Sequence, residues 1–418
     1  MNVITSKISK IWKILGPGLV TGSSDDDPSG IATYSQAGAA YGLSTLWTAL
    51  ITFPLMAAIQ EMCARIGLVT SSGLAGTLRA NYSKPVLYLM LLFSFPAIVM
   101  NIGADIAGMG AVGTLLIPSV PSAYFSLGFT LILLVLIVYL PYQKIASVLK
   151  YLCIVLLVYL IIPFLYKQDL LAIVKATFIP TIKFDKDFLS ILVAILGTTI
   201  SPYLFFWQAT MEVEQQKKKR LIVNKRIISE MKQDVDFGML FSNVVMFFLI
   251  LTTGTVLFNG GIHQIDTVEQ AAQALRPLAG NSAYLLFAIG VIGTGLLAIP
   301  VLSGSLSYIV TETFGWKNGL DQKFHQAKVF YIIIAISLVL GLLMNHVGIS
   351  PVRALIYSAI LYGMTAPVLI AIILHISNNK KIMGKFTNGK VSNIVGIATF
   401  ILMTIAAGTL IYMQLIQS

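Results

Sequence analysis

At 418 residues, with 57% hydrophobic side chains, only 11% charged ones and a mean hydropathy of +0.85, the chain is unlike a soluble protein, which carries about 25% charge. One helix crosses a bilayer with about 20 apolar residues, so the composition supplies up to about a dozen spans and excludes a soluble fold. The formal net charge of +11 fits basic loops on one side of a membrane and calls for no nucleic-acid partner.

Eleven apolar segments follow one another along the chain. The first, 12–41, is interrupted by Ser24-Asp25-Asp26-Asp27-Pro28-Ser29-Gly30. Four continuous segments come next, at 44–68, 86–116, 124–140 and 145–165. The sixth, 188–211, is interrupted at Thr198-Thr199-Ile200-Ser201-Pro202. The rest lie at 237–258, 283–310, 329–344, 354–375 and 394–415. The intervening loops, the longest being 166–187, 212–236 and 259–282, are too short for a core of their own. The basic run QQKKKRLIVNKR is expected to be a solvated face.

Basic residues orient the chain. With the N-terminus inside, 22 of the 28 Lys and Arg fall in inside segments, and Lys167, Lys175, Lys183, Lys186, Arg276 and Arg353 fall outside. The N-terminal stretch resembles a signal peptide only weakly, because no small-residue cleavage site follows it. Cys63 and Cys153 form no CxxC pair, and His263, His325, His346 and His375 are scattered with none mid-span. Neither a disulfide framework nor a thiolate or imidazole metal site is expected.

The interruptions carry the chemistry. A single aspartate at a helix centre costs about 2.5–3.5 kcal/mol on insertion scales, and here three stand together. Pro28 removes a backbone donor and disfavours helix at Asp27, while Gly30 permits unusual dihedrals. The chain is therefore expected to unwind over 27–30, freeing carbonyls beside a carboxylate. Such backbone survives at membrane depth only inside protein or along a watery cavity. An ordinary loop is the alternative, but each half of the segment is too short to span. Breaks in the first and sixth segments are the pattern of transporters built from two inverted five-helix repeats, with the site where the breaks meet. The donors on offer are carboxylate, carbonyl and the hydroxyls of Ser29, Thr198, Thr199 and Ser201, a hard oxygen set suited to Mg²⁺, Ca²⁺ or Mn²⁺. An amino acid held by its carboxylate at a half-helix N-terminus is the competing cargo, which three acids disfavour.

Read with their flanks, these segments resemble the Nramp family of divalent-metal transporters. GPGLVTGSSDDDPSGIATYSQAGAAYG is similar to its first helix, whose core motif is Asp-Pro-Gly-Asn. QEMCARIGLVT resembles the end of the second, and FAIGVIGTGLLAIPVLSGSLSYIVTETFG the eighth. The resemblance implies an all-α, LeuT-type membrane fold of about eleven helices with alternating access. It forms a single 1–418 transporter domain: repeat one over about 12–166, repeat two over about 188–375 and an extra helix at about 391–416. Several positions depart from the family. Asp27 and Pro28 stay, but Ser29 and Gly30 replace Gly-Asn. Ser201-Pro202-Tyr203 stands where the family has Met-Pro-His, and Gln208 where it has a second histidine. In NIGADIAGMG, Asp105 matches one family acid and Ile102 replaces another. Losing a thioether and an amide leaves a harder, roomier site, and Mg²⁺ prefers to keep several waters. These departures resemble the Nramp-related magnesium transporters.

The expected ion ligands are Asp27, Gly30 and Thr198 through their backbones in the latter two cases, and Ser201. Asp26, Ser29, Trp207, Gln208 and Asp105 are expected to line the cavity. Asp25 and Asp26 either widen the anionic vestibule or play a structural part. Glu61, Glu212 and Glu214 are expected as ordinary helix-end groups. The function implied is plasma-membrane uptake of Mg²⁺, with Mn²⁺ a further cargo, and without protons because imidazoles are lacking. The alternatives are a proton-coupled Mn²⁺/Fe²⁺ importer and an amino-acid or organic-cation carrier. No cofactor or protein partner is implied, since the ion is cargo and the lipid bilayer is the surrounding phase. No nucleophile–base arrangement suggests an enzyme.

Overall fold

The computed structural model describes residues 16–140, 158–166, 169–345 and 348–416, and has no strand among the described residues. The first span is two half-helices, α1 (Pro17–Asp25) and α2 (Pro28–Tyr41). Three helices follow, α3 (Trp47–Thr70), α4 (Lys84–Leu116) and α5 (Ser122–Tyr139). A second broken span comprises α6 (Lys186–Thr199) and α7 (Pro202–Lys219). Then come α8 (Lys225–Thr253), α9 (Ala283–Phe314), α10 (Lys328–Met344), α11 (Pro351–Asn378) and α12 (Lys390–Ile416). Eight stretches are long and apolar enough to cross a membrane, with α6 and α7 taken as one, and α10 is a shorter apolar helix. With the first broken span these account for ten of the eleven expected segments. Most of the segment 145–165 lies outside the described residues.

Charged helix ends are where sequence and structure differ. The loop expected over 212–236 shrinks to 220–224, because α7 runs on to Lys219 and α8 begins at Lys225. Asn224 caps α8 by accepting from the amides of Arg226 and Ile227 at 2.9 and 3.0 Å. Arg226 pairs with Glu230 one turn on, and three lysines in the last turn of α7 suit its negative end. These turns face water, so hydropathy does not reveal them. The expected loop 166–187 likewise contains a helix, Leu170–Phe178, capped by Asp169.

Contacts between helix ends define two faces. At the entry face, where the chain enters α1, Arg65 of α3 reaches the carbonyl of Phe386 and the side chain of Asn388, and Gly76 donates to Glu312 of α9. At the far face, Trp47 donates to the Thr181 carbonyl and Arg353 of α11 pairs with Asp266. The broken spans are central: 94% of the apolar stretch of α6–α7 is buried, against 22% for α5 and 28% for α12.

Half-helix α1 lies so close to α8 that glycine is required on both. A methyl on Gly22 would fall 2.9 Å from the Gly238 Cα and nearer still to its carbonyl. Gly22→Ala is therefore expected to destabilise the protein by about 1–3 kcal/mol, the usual cost of overpacking. Gly128→Ala on α5, where a methyl meets nothing within 4 Å, should be neutral or stabilising. Thermal melts of the two purified variants in one detergent check this, and equal melting temperatures would contradict it.

Candidate functional site

The two interruptions have the same construction. In each, the half-helix ends on a residue of similar twist, Asp26 at φ −83°, ψ 53° and Ile200 at φ −108°, ψ 57°. An extended residue follows, Asp27 or Ser201, and then a proline opens the next half-helix. Proline cannot continue the preceding helix, yet its fixed φ suits the first position of a new one.

At the first break the unwound stretch is shorter than the expected 27–30. Only Asp26 and Asp27 lie between the half-helices, and Ser29 and Gly30 already belong to α2. The cause is the Asp27 side chain, whose Oδ1 accepts from the Gly30 amide at 2.7 Å and so caps α2. Gly30 therefore falls outside the unwound backbone from which ligands are expected. Its part is to allow close approach, since a methyl there would sit 3.2 Å from the Asp25 carbonyl and 3.4 Å from Thr198 Oγ1. At this point the two breaks meet.

The second oxygen of Asp27 accepts from Asn101 Nδ2 at 2.9 Å. Asn101 Oδ1 in turn accepts from the Ser358 hydroxyl at 2.8 Å. Ser29 donates to the Leu355 carbonyl at 2.8 Å and lies 3.2 Å from Ser358 Oγ. One polar chain thus ties α2 to α4 and α11. Asn101 and Ser358 are not among the residues expected from sequence. The available signal is spacing, because Asn101 lies one turn before Asp105 on the same helical face. Asp105 is fully buried and faces Asp27 and the Ser29 backbone without closing a hydrogen bond.

Asp25 and Asp26 turn toward α8. Ser242 Oγ lies 2.7 Å from Asp25 Oδ2 and 3.3 Å from Asp26 Oδ1, but a hydroxyl has one proton to give. Asp25 Oδ1 and Asp26 Oδ2 are buried with no hydrogen-bond partner. Nothing in the sequence marks Ser242 as their neighbour.

At the second break, the Ser201 hydroxyl donates to the Thr198 carbonyl at 2.5 Å, with the Gly197 carbonyl 3.3 Å away. The two donors expected here are thus engaged with each other, each keeping a lone pair for a further partner. Trp207 is fully buried, with Gly304 of α9 so near its ring that a methyl there would lie 3.0 Å away. Gln208 accepts from Thr21 Oγ1 at 2.5 Å and donates to Glu212 at 3.0 Å, on the entry side of the breaks. Glu61, Glu212 and Glu214 are not the ordinary helix-end groups expected. Glu61 pairs with Arg65 at 2.7 Å, Glu212 is 2% exposed, and Glu214 accepts from Tyr308.

Among the described residues no three His, Cys, Asp or Glu side chains gather as a metal cluster. A cation at the breaks would combine one or two carboxylates with hydroxyls, carbonyls and water. Two cavities flank the breaks. One of about 820 Å³ at the far face is lined by Gln36, Lys186, Asp266, Arg353 and Tyr357 among others. One of about 520 Å³ at the entry face is lined by Glu212, Lys219, Arg226, Glu230 and Asp234 among others. Neither is lined by residues 25–27 or 198–201, and Asp25, Asp26, Asp27, Thr198, Thr199 and Ser201 are all buried.

Comparison with known proteins agrees with this architecture. The family model Nramp, natural resistance-associated macrophage protein-like, matches residues 18–413. The divalent metal cation transporter MntH of Caldanaerobacter subterraneus is 24% identical, over 98% of this chain and 95% of that protein. MntH of Bacillus subtilis is 23% identical, over 90% and 86%. Among solved structures, the Eremococcus coleocola manganese transporter, in complex with an aromatic bis-isothiourea substituted compound, superposes with a TM-score of 0.74 at 20% identity, covering 95% of this chain and 86% of that one. MHP1, a nucleobase-cation-symport-1 family transporter, superposes at 0.53 and 12% identity, over 95% and 92%. The fold is thus LeuT-like, shared well beyond close relatives.

Asn101 supplies a hydrogen bond to a charged oxygen, worth about 1.5–3 kcal/mol. Asn101→Ala should therefore weaken divalent-cation binding to the purified protein by about tenfold or more, and Ser358→Ala by less. Isothermal titration measures both. Unchanged binding in Asn101→Ala would show that the Asp27–Asn101 bond does not shape the site.

Proposed function

The chain belongs to the Nramp family, and from that premise we propose that it carries hard divalent cations, Mg²⁺ and also Mn²⁺, into the cell by alternating access. The observation that supports this most is the donor set at the paired breaks. Asp27 stands between them, Asp25, Asp26 and Asp105 leave buried carboxylate oxygens without a hydrogen-bond partner, and Ser29, Thr198 and Ser201 add hydroxyls and a carbonyl. Buried carboxylates without a counter-charge are costly, and a divalent cation with part of its water shell supplies that charge. Asp27 makes direct contact, Ser201 and Thr198 turn from each other toward the ion, and Asp26, Ser29 and Asp105 act through water. Gly30 leaves room for that water, and Gln208 and Trp207 close the entry side.

On this account the regions of about 12–166 and 188–375 are the two inverted repeats. The entry face is cytoplasmic, and the protein sits in the plasma membrane. The far cavity admits the cation, and movement of α1 releases it at the entry face. A manganese preference is the second reading. It is favoured by the likeness to proteins named as divalent metal and manganese transporters, and by the Met109 thioether, which packs beside Gly295 and Pro28.

Uptake into proteoliposomes with Mg²⁺, Mn²⁺, Ca²⁺ and alanine side by side tests the proposal. Asp27→Ala should abolish uptake and binding of every ion. Ser201→Met should raise the Mn²⁺-to-Mg²⁺ uptake ratio by about tenfold, because a thioether attracts softer ions and cannot hold a hydration shell. An unchanged ratio would mean that position 201 does not face the ion, and alanine uptake would overturn the cation assignment.

Among the described residues no histidine stands at either break: His263 and His325 lie in loops and His375 in the last turn of α11. Uptake is therefore expected without accompanying protons, and a pH-sensitive dye inside the vesicles should stay flat. Acidification that tracks metal uptake would contradict this and make Asp105 the first residue to test.

A further inference from the structure

We propose that Asp234 on α8 is the latch that holds half-helix α1 closed, a positioning residue for the transport cycle. The inference rests on the carrier function above, because release of the ion at the entry face requires α1 to move. Gly16 has no side chain to cap α1 and Pro17 fills its first position, so the free N–H groups of the first turn need an acceptor from elsewhere. Asp234 supplies it from another helix. Its Oδ1 accepts from the Gly16 amide at 2.8 Å and its Oδ2 from the Gly18 amide at 2.7 Å. The carboxylate also meets the positive end of the helix dipole, where the attraction is strongest at a partly buried site.

Further along α1 each hold is a single contact, including the Ser242 hydroxyl that donates to Asp25 at 2.7 Å. Gly18 and Gly22 lie against the Asp234–Gly238 backbone, Thr21 donates to Gln208, and Tyr203 donates to the Ser24 carbonyl at 2.8 Å. At its other end α1 stops at Asp25, and α2 starts afresh from its own cap on Asp27. Half-helix α1 can therefore pivot at the break while α2 stays in place. The side chain of Asp234 lines the entry-face cavity of about 520 Å³ together with Glu212, Lys219, Arg226 and Glu230. Letting go of α1 joins that cavity to the breaks. Asp234 thus sets how often the entry side opens, without touching the ion.

Hydrogen–deuterium exchange on the full chain in detergent, read by mass spectrometry, tests this on Asp234→Ala and Asp234→Asn. The asparagine keeps one acceptor oxygen and the shape of the side chain, so it guards against simple misfolding. Exchange should rise in peptides covering 16–24, by about tenfold in the alanine variant and less in the asparagine one. Exchange over 225–253 and the Mn²⁺ titration should match the unsubstituted protein. Unchanged exchange over 16–24, or an equal rise through 225–253, would overturn the latch. The two ideas fail separately. If Asp27→Ala abolishes Mn²⁺ binding while both Asp234 variants exchange normally over 16–24, only the latch is wrong. If Asp27→Ala still binds Mn²⁺, the carrier site is wrong whatever Asp234 does.

Discussion

Inside a bilayer, a helix can be interrupted only where other parts of the protein satisfy the groups it frees. Around the first break of this chain those groups include three consecutive aspartates, and the packing of four other helices is arranged about them. Asp27 is held by the Gly30 amide within its own span and by Asn101 from α4. Ser358 and Leu355 of α11 extend that chain through Asn101 and Ser29. Asp25 and Asp26 share one hydroxyl from α8, and Tyr203 of α7 donates to the Ser24 carbonyl near the end of α1. What these contacts leave unmet are oxygens of the Asp25 and Asp26 carboxyl groups. Those unpartnered carboxyl oxygens are the physical basis for the proposed cation.

The same break that creates the site also makes it a joint. Two half-helices ending in like twist and restarting on proline give each broken span a point of rotation that a continuous helix lacks. The far half α2 is bound into the Asn101–Ser358 chain, whereas the entry half α1 is held by glycine contacts, by Asp234 and by single hydrogen bonds at Thr21, Ser24 and Asp25. In the proposed cycle α1 is therefore the half that moves. Cavities stand at both faces and the residues of the breaks are buried between them, an arrangement that suits the proposed alternating access.

Much of this was legible in the sequence. Long apolar runs announce α3, α4, α5 and α9 through α12, because transfer to lipid dominates their composition. The two breaks were legible because proline and three acids contradict their apolar surroundings. The ends of α7 and α8 were not, since helix held by capping and ion pairs at a wet face leaves no hydropathy signal. Partners from distant segments were hidden for another reason. Ser242 and Ser358 are ordinary serines until folding brings them to Asp25 and Asn101. Glu212 and Asp234 look like solvated end charges, and only the docking of α1 against α8 shows them buried. The family's missing thioether directed attention to Ser201, but not to its bond with the Thr198 carbonyl, which depends on the turn the break adopts.

In the proposed function the ion sits where the two breaks meet, in contact with Asp27. Crystals equilibrated with Mn²⁺ and measured at the manganese absorption edge test it most directly. The expected result is one anomalous peak between Asp27 and the Thr198–Ser201 turn, lost in crystals of Asp27→Ala. A peak lying instead between Asp25, Asp26 and Ser242, or one that survives removal of the Asp27 carboxylate, would contradict it.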